Sequence, residues 1–303
     1  MNAFITPLTR NLKFNLPKSK VANWHDEGTH VSQFFNTMSL FFPEGERFFI
    51  QSVRYYRGRI TDKALQKAVT AFIGQEAMHG REHAEYNEAM VEAGFPVDEM
   101  EQQVIQRLNF FKQHTSHSAQ LAITIALEHL TAIMADSLLK NPEMLENSDP
   151  HFVALWQWHA LEETEHKAVA FDVYRSVMRS TVKSYALRTT TLAWVTLLFF
   201  IHCYRFQFQI MKQSNEHRNI SGWMSLLKNQ WIKPGVLRKA VPAWLDYFRP
   251  GFHPWDHDNA HLLGMIDELT ERVSSFKQTI NDEPELAERE LNGFGGMNLG
   301  SVV

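Results

Sequence analysis

Apolar residues recur at helical spacing from about residue 31 onward, and the first 180 residues show no convincing strand alternation. The rise from Val31 to Tyr56 is interrupted by Pro43 and Gly45. A proline fits a first helical turn, so a short helix should end near Leu40 and a second should begin at Pro43. The second carries one stripe of Glu46, Phe49, Ile50, Val53 and Tyr56, an acid among apolar neighbours. Thr61 reads as the N-cap of a long helix ending at Gly94. Its stripe runs through Leu65, Val69, Phe72, Glu76, His79 and His83. Gly74 and Gly80 lie inside it at a cost of about 1 kcal/mol each against alanine, which fits close approach of another helix or a substrate. Residues 98–114 form a connecting helix. Ser116 to Lys140 is the next long one, with Glu128 among Leu121, Ile125 and Ala132, and Asn141-Pro142 stops it. Asp149-Pro150 opens a further helix whose stripe continues through Val169, Val173 and Val177. The class is all-α, a four-helix bundle with additional C-terminal helices.

That pattern divides the chain into an N-terminal extension on the surface (1–24), the bundle (25–181), a C-terminal helical region (182–281) and a loose, glycine-rich tail (282–303). Within the third part, residues 183–213 hold the most apolar run, Thr191 to Tyr204. It falls short of the roughly twenty residues that span a bilayer. A buried or homodimer-interface helix is the first expectation, with peripheral membrane contact through 187–205 and then a true span as the alternatives. Smaller helices are expected at Ser221–Trp231 and Pro234–Phe248, and another from Trp255 to Phe276.

Composition narrows this only a little. A chain of 303 residues with 44% apolar content buries a sizeable core. A formal charge of −4 gives no nucleic-acid footprint. The single cysteine, Cys203, excludes an internal disulfide and a thiolate metal cage, and reads as a small buried hydrophobe. The N-terminal twenty residues show no secretory signal pattern, so a cytoplasmic protein is expected.

The chemistry concentrates in Trp158-His159-Ala160-Leu161-Glu162-Glu163-Thr164-Glu165-His166. On a helix, His159, Glu163 and His166 share a face. Its core recurs earlier as Glu76-Ala77-Met78-His79. In chain order the bundle offers Glu46, Glu76-x-x-His79, Glu128 and Glu163-x-x-His166, which is the ligand pattern of carboxylate-bridged dimetal sites in helical bundles. Carboxylates forced into a core each carry a desolvation cost of several kcal/mol, and two divalent cations would neutralise four of them. The mixed N/O set suits iron or manganese, with zinc also open. A lone Glu-x-x-His is weak evidence, since Glu27-x-x-His30 fits it too and looks like a helix start. The four glutamates each interrupt an apolar stripe, and that is the stronger signal. His159 is read as a third imidazole ligand, with a hydrogen-bonded core histidine as the alternative. His83 is read as an outer partner or pocket residue. Gln75 and Glu162, each preceding a ligand glutamate, could reach the histidine of the opposite helix and fix its tautomer. His253, His257 and His261, spaced by four, read as caps and surface contacts rather than a second site.

The run Phe42-Pro43-Glu44-Gly45-Glu46-Arg47-Phe48-Phe49, with Gln75–His79, Leu127-Glu128-His129 and Glu162–His166, resembles the bacterial family of predicted metal-dependent hydrolases, placed in the ferritin-like superfamily. The likeness covers roughly residues 25–275. More distantly, His159-x-x-x-Glu163-x-x-His166 is similar to the di-iron aminobenzoate N-oxygenases, in which an extra histidine binds one iron. That resemblance implies Glu46, Glu76, His79, Glu128, His159, Glu163 and His166 as ligands, with Glu44 as a substitute for Glu46 if the first helix starts later. Where other ferritin-like di-iron enzymes place an aspartate before each Glu-x-x-His, this chain has Gln75 and Glu162.

Three functions follow as expectations. The first is oxidation of a small apolar substrate at a di-iron centre, needing dioxygen and an electron donor. The second is hydrolysis by a metal-activated water, and the third is non-catalytic iron binding. No serine or cysteine nucleophile signature accompanies the cluster.

Overall fold

The structure is a computed structural model and describes residues 5–276. Among them there is no strand. Four helices make the bundle: α2 (Phe42–Tyr56), α3 (Lys63–Glu92), α5 (His117–Leu139) and α6 (Pro150–His166). Before and between them lie α1 (Thr29–Ser39) and α4 (Val97–His114). Helix α2 packs chiefly on α3 and α5 on α6, with α2 against α5 and α3 against α6 closing the square.

Local signals set most boundaries. Ser116 and Asp149 cap α5 and α6 by accepting from Ala119 N and His151 N. The cap of α3 is Asp62 rather than Thr61, because its carboxylate accepts from both Ala64 N and Leu65 N. Gly94 follows the end of α3 with φ 87°, a conformation that glycine adopts without strain. Gly28 precedes Thr29 at the start of α1, so Glu27-x-x-His30 is a helix start as expected.

Three regions depart from the sequence pattern. Residues 5–24 are not a surface extension. Phe14 and Val21 are buried in the core, and Thr9 crosses α3 so closely that a Cβ on Gly74 would lie 2.3 Å from its hydroxyl. The neighbour that Gly74 admits is therefore this segment. The stripe expected to run from α6 through Val177 is divided at residues 167–168, with α7 spanning Val169–Val177. That turn aims the buried Lys167 ammonium at the His257 carbonyl (2.7 Å) and Asn259 Oδ1 (2.6 Å). The expected helix from Trp255 is α-helical only over 266–276 and begins as 3-10 turns. There His253 caps Trp255 N, while Asn259 is held by Lys167 and Asp136, so side-chain bonds replace the helical ladder. The tail expected from 282 lies outside the described residues.

Helix α8 (Val182–Gln213) crosses α5 and α1, followed by α9 (Ile220–Trp231) and α10 (Val236–Asp246). Contrary to a fully buried helix, α8 buries one face (Leu192, Cys203, Phe206, Ile210) and exposes the other. Among the described residues two helices, α5 and α8, are long and apolar enough to cross a membrane by length and composition; α5 is mostly buried, α8 mostly not.

Candidate metal centre

Each bundle helix brings its apolar stripe inward, and the stripes carry their polar interruptions with them. Glu46 comes from α2, Glu76 and His79 from α3, Glu128 from α5, and His159, Glu163 and His166 from α6. All seven are buried. They form two groups, Glu46–His79–His159–Glu163 and Glu76–Glu128–His166. Within each group one ligand atom per residue lies within 4.8 Å of the others. Ligands at about 2.0–2.2 Å on opposite sides of one ion would stand roughly 4.3 Å apart, so each group has the size of a single-ion site.

Glu163 joins the two groups. Its Oε1 is 3.0 Å from His159 Nε2, while its Oε2 is 3.5 Å from His166 Nε2 and accepts from the Thr131 hydroxyl at 2.7 Å. The pairs Glu76/His79 and Glu163/His166 are each split between groups, because residues three apart on one helix point to different ends of the cluster. Glu46, not Glu44, is the buried acid of α2; Glu44 pairs at the surface with Arg47.

The test of metal fit lies in what these atoms bond to. Both oxygens of Glu46, Glu76 and Glu128, with His79 Nδ1 and His166 Nε2, are buried without a hydrogen-bond partner. Left so, each would carry a desolvation cost that native cores rarely tolerate. They are all electron-pair donors converging on one volume. A cation is the one partner that would satisfy them together.

The outer bonds fix the imidazoles in that sense. Gln75 Oε1 lies 2.9 Å from His166 Nδ1, which leaves His166 Nε2 free to face the cluster. Glu162 Oε2 lies 3.2 Å from His79 Nε2, which leaves Nδ1. Gln75 and Glu162 thus reach the histidine of the opposite helix, as their spacing suggests. His83 Nε2 lies 2.7 Å from His159 Nδ1 and is an outer partner of His159. Two residues were missed by sequence reasoning. Arg10 pairs with Glu162 (3.1 Å) and Glu165 (2.9 Å), and Glu165 also accepts from Gln75 at 2.6 Å. Three glutamates within four positions of a buried helix demand a cation, which was a usable signal for Glu165; nothing in the sequence points to Arg10.

The electrostatics agree with a cluster built around added positive charge. Burial, then the charges of Glu163 and Glu128, hold the Glu46 carboxyl well above its usual range. Glu128 is raised likewise, by burial and by Glu163. Burial alone would raise Glu163 too, but His166 and His159 outweigh it and hold that carboxyl well below the usual range. The His79 and His83 imidazoles are pushed well down by burial and then by His159, toward the neutral form that binds metals. Burial pushes Glu162 up to about 8, against the opposing pull of Arg10.

Beside His159 and Glu163 lies a cavity of about 60 Å³ lined by apolar side chains including Phe34, Phe42, Met134 and Trp156. The trio His253, His257 and His261 makes no cluster with the site. His253 pairs with Asp172 and His257 with Asp246, each near the surface.

Residues 8–258 match the family described as "Predicted metal-dependent hydrolase". The chain belongs to that family. Neither the curated proteins nor the solved structures gave a match. The family and the buried His/Glu groups together indicate metal dependence.

Proposed function

We propose that the protein is a metal-dependent hydrolase holding two divalent cations in a ferritin-like bundle, acting on a largely apolar molecule. The observation that carries the dimetal part is the set of buried, unpartnered donors divided into two ion-sized groups that share Glu163. The hydrolytic part is supported by the family's description. Bound there, the metals would supply Lewis acidity and a water of lowered pKa. Glu46, His79, His159 and Glu163 would hold one ion, and Glu76, Glu128 and His166 the other. His159 and Glu163 form the polar edge of the cavity, so a reacting bond would sit against them. The substrate's apolar remainder would lie on Phe34, Phe42 and Trp156 and exclude bulk water. Thr131 holds Glu163 Oε2 in place, and Arg10 bonds Glu162 Oε1 while the other oxygen of Glu162 faces His79 Nε2.

A second reading is oxidation of an apolar substrate by dioxygen. It is favoured by the nitrogen- and carboxylate-rich donor set, which suits iron, and by the apolar lining beside His159. One experiment separates the two. Protein from iron-, manganese- or zinc-supplemented cells is assayed for metal content, then for turnover of a panel of ester and amide substrates with and without oxygen. Two ions per chain with turnover independent of oxygen supports hydrolysis. Oxygen uptake coupled to substrate loss replaces it with the oxidative reading, and absence of stoichiometric metal overturns both.

A further inference from the structure

The exposed side of α8 is a single stripe. Lys183, Trp194, Leu197, Ile201, Phe208 and Lys212 all fall on one face at 100° per residue. Trp194, Leu197 and Ile201 are 64%, 52% and 51% exposed, so this apolar band has no partner among the described residues. Arg205 lies within the band, and Lys183 and Lys212 bracket it. Helix α9 repeats the arrangement, with Ile220, Met224, Leu227 and Trp231 at helical spacing and all exposed. The two helices adjoin, since Tyr204 donates to Gln230 Oε1 at 2.8 Å. A contiguous apolar surface of this kind is uncommon on a freestanding soluble protein and marks an interaction face.

Charge identifies the partner. Residues 173–245 contain eleven Lys/Arg and one acid, Glu216, whereas the whole chain has 30 Lys/Arg and 34 Asp/Glu. A segment of net charge +10 (11 − 1) thus sits in a chain of net charge −4, and it is the segment that exposes apolar side chains, although Arg188 within it is buried. Apolar residues flanked by lysine and arginine are what an interfacial helix needs to insert among acyl chains and hold anionic headgroups. A second copy of this chain would set basic segment against basic segment.

The same face leads inward. A groove of about 300 Å³ opens between α8 and α10, with Phe200, Tyr204, Trp231 and Val241 on its walls. Met134 and Leu237 line both this groove and the cavity at His159 and Glu163. These two side chains, one of them a flexible methionine, therefore stand between the groove and the cavity.

We propose that the face formed by α8 and α9 docks on an anionic lipid bilayer, and that the groove between α8 and α10 passes the aliphatic chain of a bilayer-resident substrate to the metal centre. The access half rests on the metal-enzyme reading; the docking half does not. Docking is read by co-sedimentation of metal-loaded protein with phosphatidylglycerol-containing vesicles and with pure phosphatidylcholine vesicles. The protein sediments with the former, and Leu197→Glu with Ile201→Glu weakens this at least tenfold while metal content and helicity stay unchanged. Failure of the wild type to sediment, equal sedimentation of the variant, or a dimer in light scattering that the variant dissociates would overturn docking. Access is read by binding of a fluorescent long-chain fatty acid to metal-loaded protein. Leu237→Trp, with Met134→Trp as a second variant in case the first misfolds, reduces that binding at least tenfold. Unchanged binding in a folded variant refutes the path. If the wild type holds no metal, the enzyme reading fails while the vesicle result still decides docking.

Discussion

Nε2 of His83 lies 2.7 Å from Nδ1 of His159, and this contact decides which nitrogen of His159 faces the cluster. The chain of donors can be followed outward. Asn87 Nδ2 donates to Glu101 Oε1 at 2.8 Å, which turns Asn87 Oδ1 toward Ser39. The Ser39 hydroxyl donates to that oxygen at 2.8 Å, so Ser39 Oγ accepts from His83 Nδ1 at 2.9 Å. His83 Nε2 is then an acceptor for His159 Nδ1–H, and His159 Nε2 is left with its lone pair toward Glu163. Outer partners of this kind set ligand basicity and orientation. His83→Ala should lower metal affinity about 10–100-fold at one of the two ions. Chelator competition checks this, and equal affinity at both ions in the variant would remove His83 from the scheme.

Glu128 gives a prediction of opposite sign in the two states of the protein. Without metal, its carboxylate is buried beside Glu163 with both oxygens unpartnered, and that is costly. Glu128→Gln should therefore stabilise metal-free protein by about 1–3 kcal/mol, while reducing metal binding in the same variant. Melting curves with chelator and with excess metal read both effects. A variant less stable under both conditions would mean that the acid serves the fold and not a cation.

Arg10 is the sole side-chain cation bonded to the Glu162–Glu165 pair among the described residues. Arg10→Ala leaves both acids nearly buried and without a cation, and should cost about 3 kcal/mol. Urea unfolding gives the stability, and added metal should not restore it. A loss under about 0.5 kcal/mol, the scale of an exposed pair, would show that solvent replaces the guanidinium.

His25 supplies a pH dependence away from the metal cluster. It stacks on Phe35 with its ring tilted against Trp24, and its Nδ1 accepts the Glu27 N–H at 3.1 Å. Burial lowers its pKa, with Asp26 and a backbone bond opposing in part. The unfolded chain then binds a proton below about pH 6.5 that the folded chain does not. Stability should therefore be lost as pH falls through that value, by a few °C in Tm per pH unit. His25→Gln should flatten this acid limb by a measurable part in thermal melts of metal-free protein. An unchanged slope would assign the limb to other groups.

The helical class and the buried His/Glu set were legible in the sequence because both depend on one local regularity. A helix returns to the same face every three or four residues, so Glu46, Glu76, Glu128 and Glu163 announce themselves as acids within apolar stripes. The same periodicity put Gln75 and Glu162 one position off the stripe, where each reaches across to the opposite histidine.

What periodicity could not give was any relationship between segments far apart in sequence. Arg10 on Glu162 and Thr9 over Gly74 join positions whose pairing no local pattern encodes. The break at Lys167 and the loss of regular helix after Trp255 arise from bonds between α6 and a distant loop. The division of the candidate ligands into two groups, linked by Glu163 through His159 and His166, depends on how four helices rotate about their axes. Most of all, an apolar run such as 183–213 reads alike whether its face meets a core or solvent. Only the packing of α8 on α5 and α1 decided that Trp194, Leu197 and Ile201 point outward. Helix formation is a matter of neighbours in sequence, whereas burial is a matter of neighbours in space.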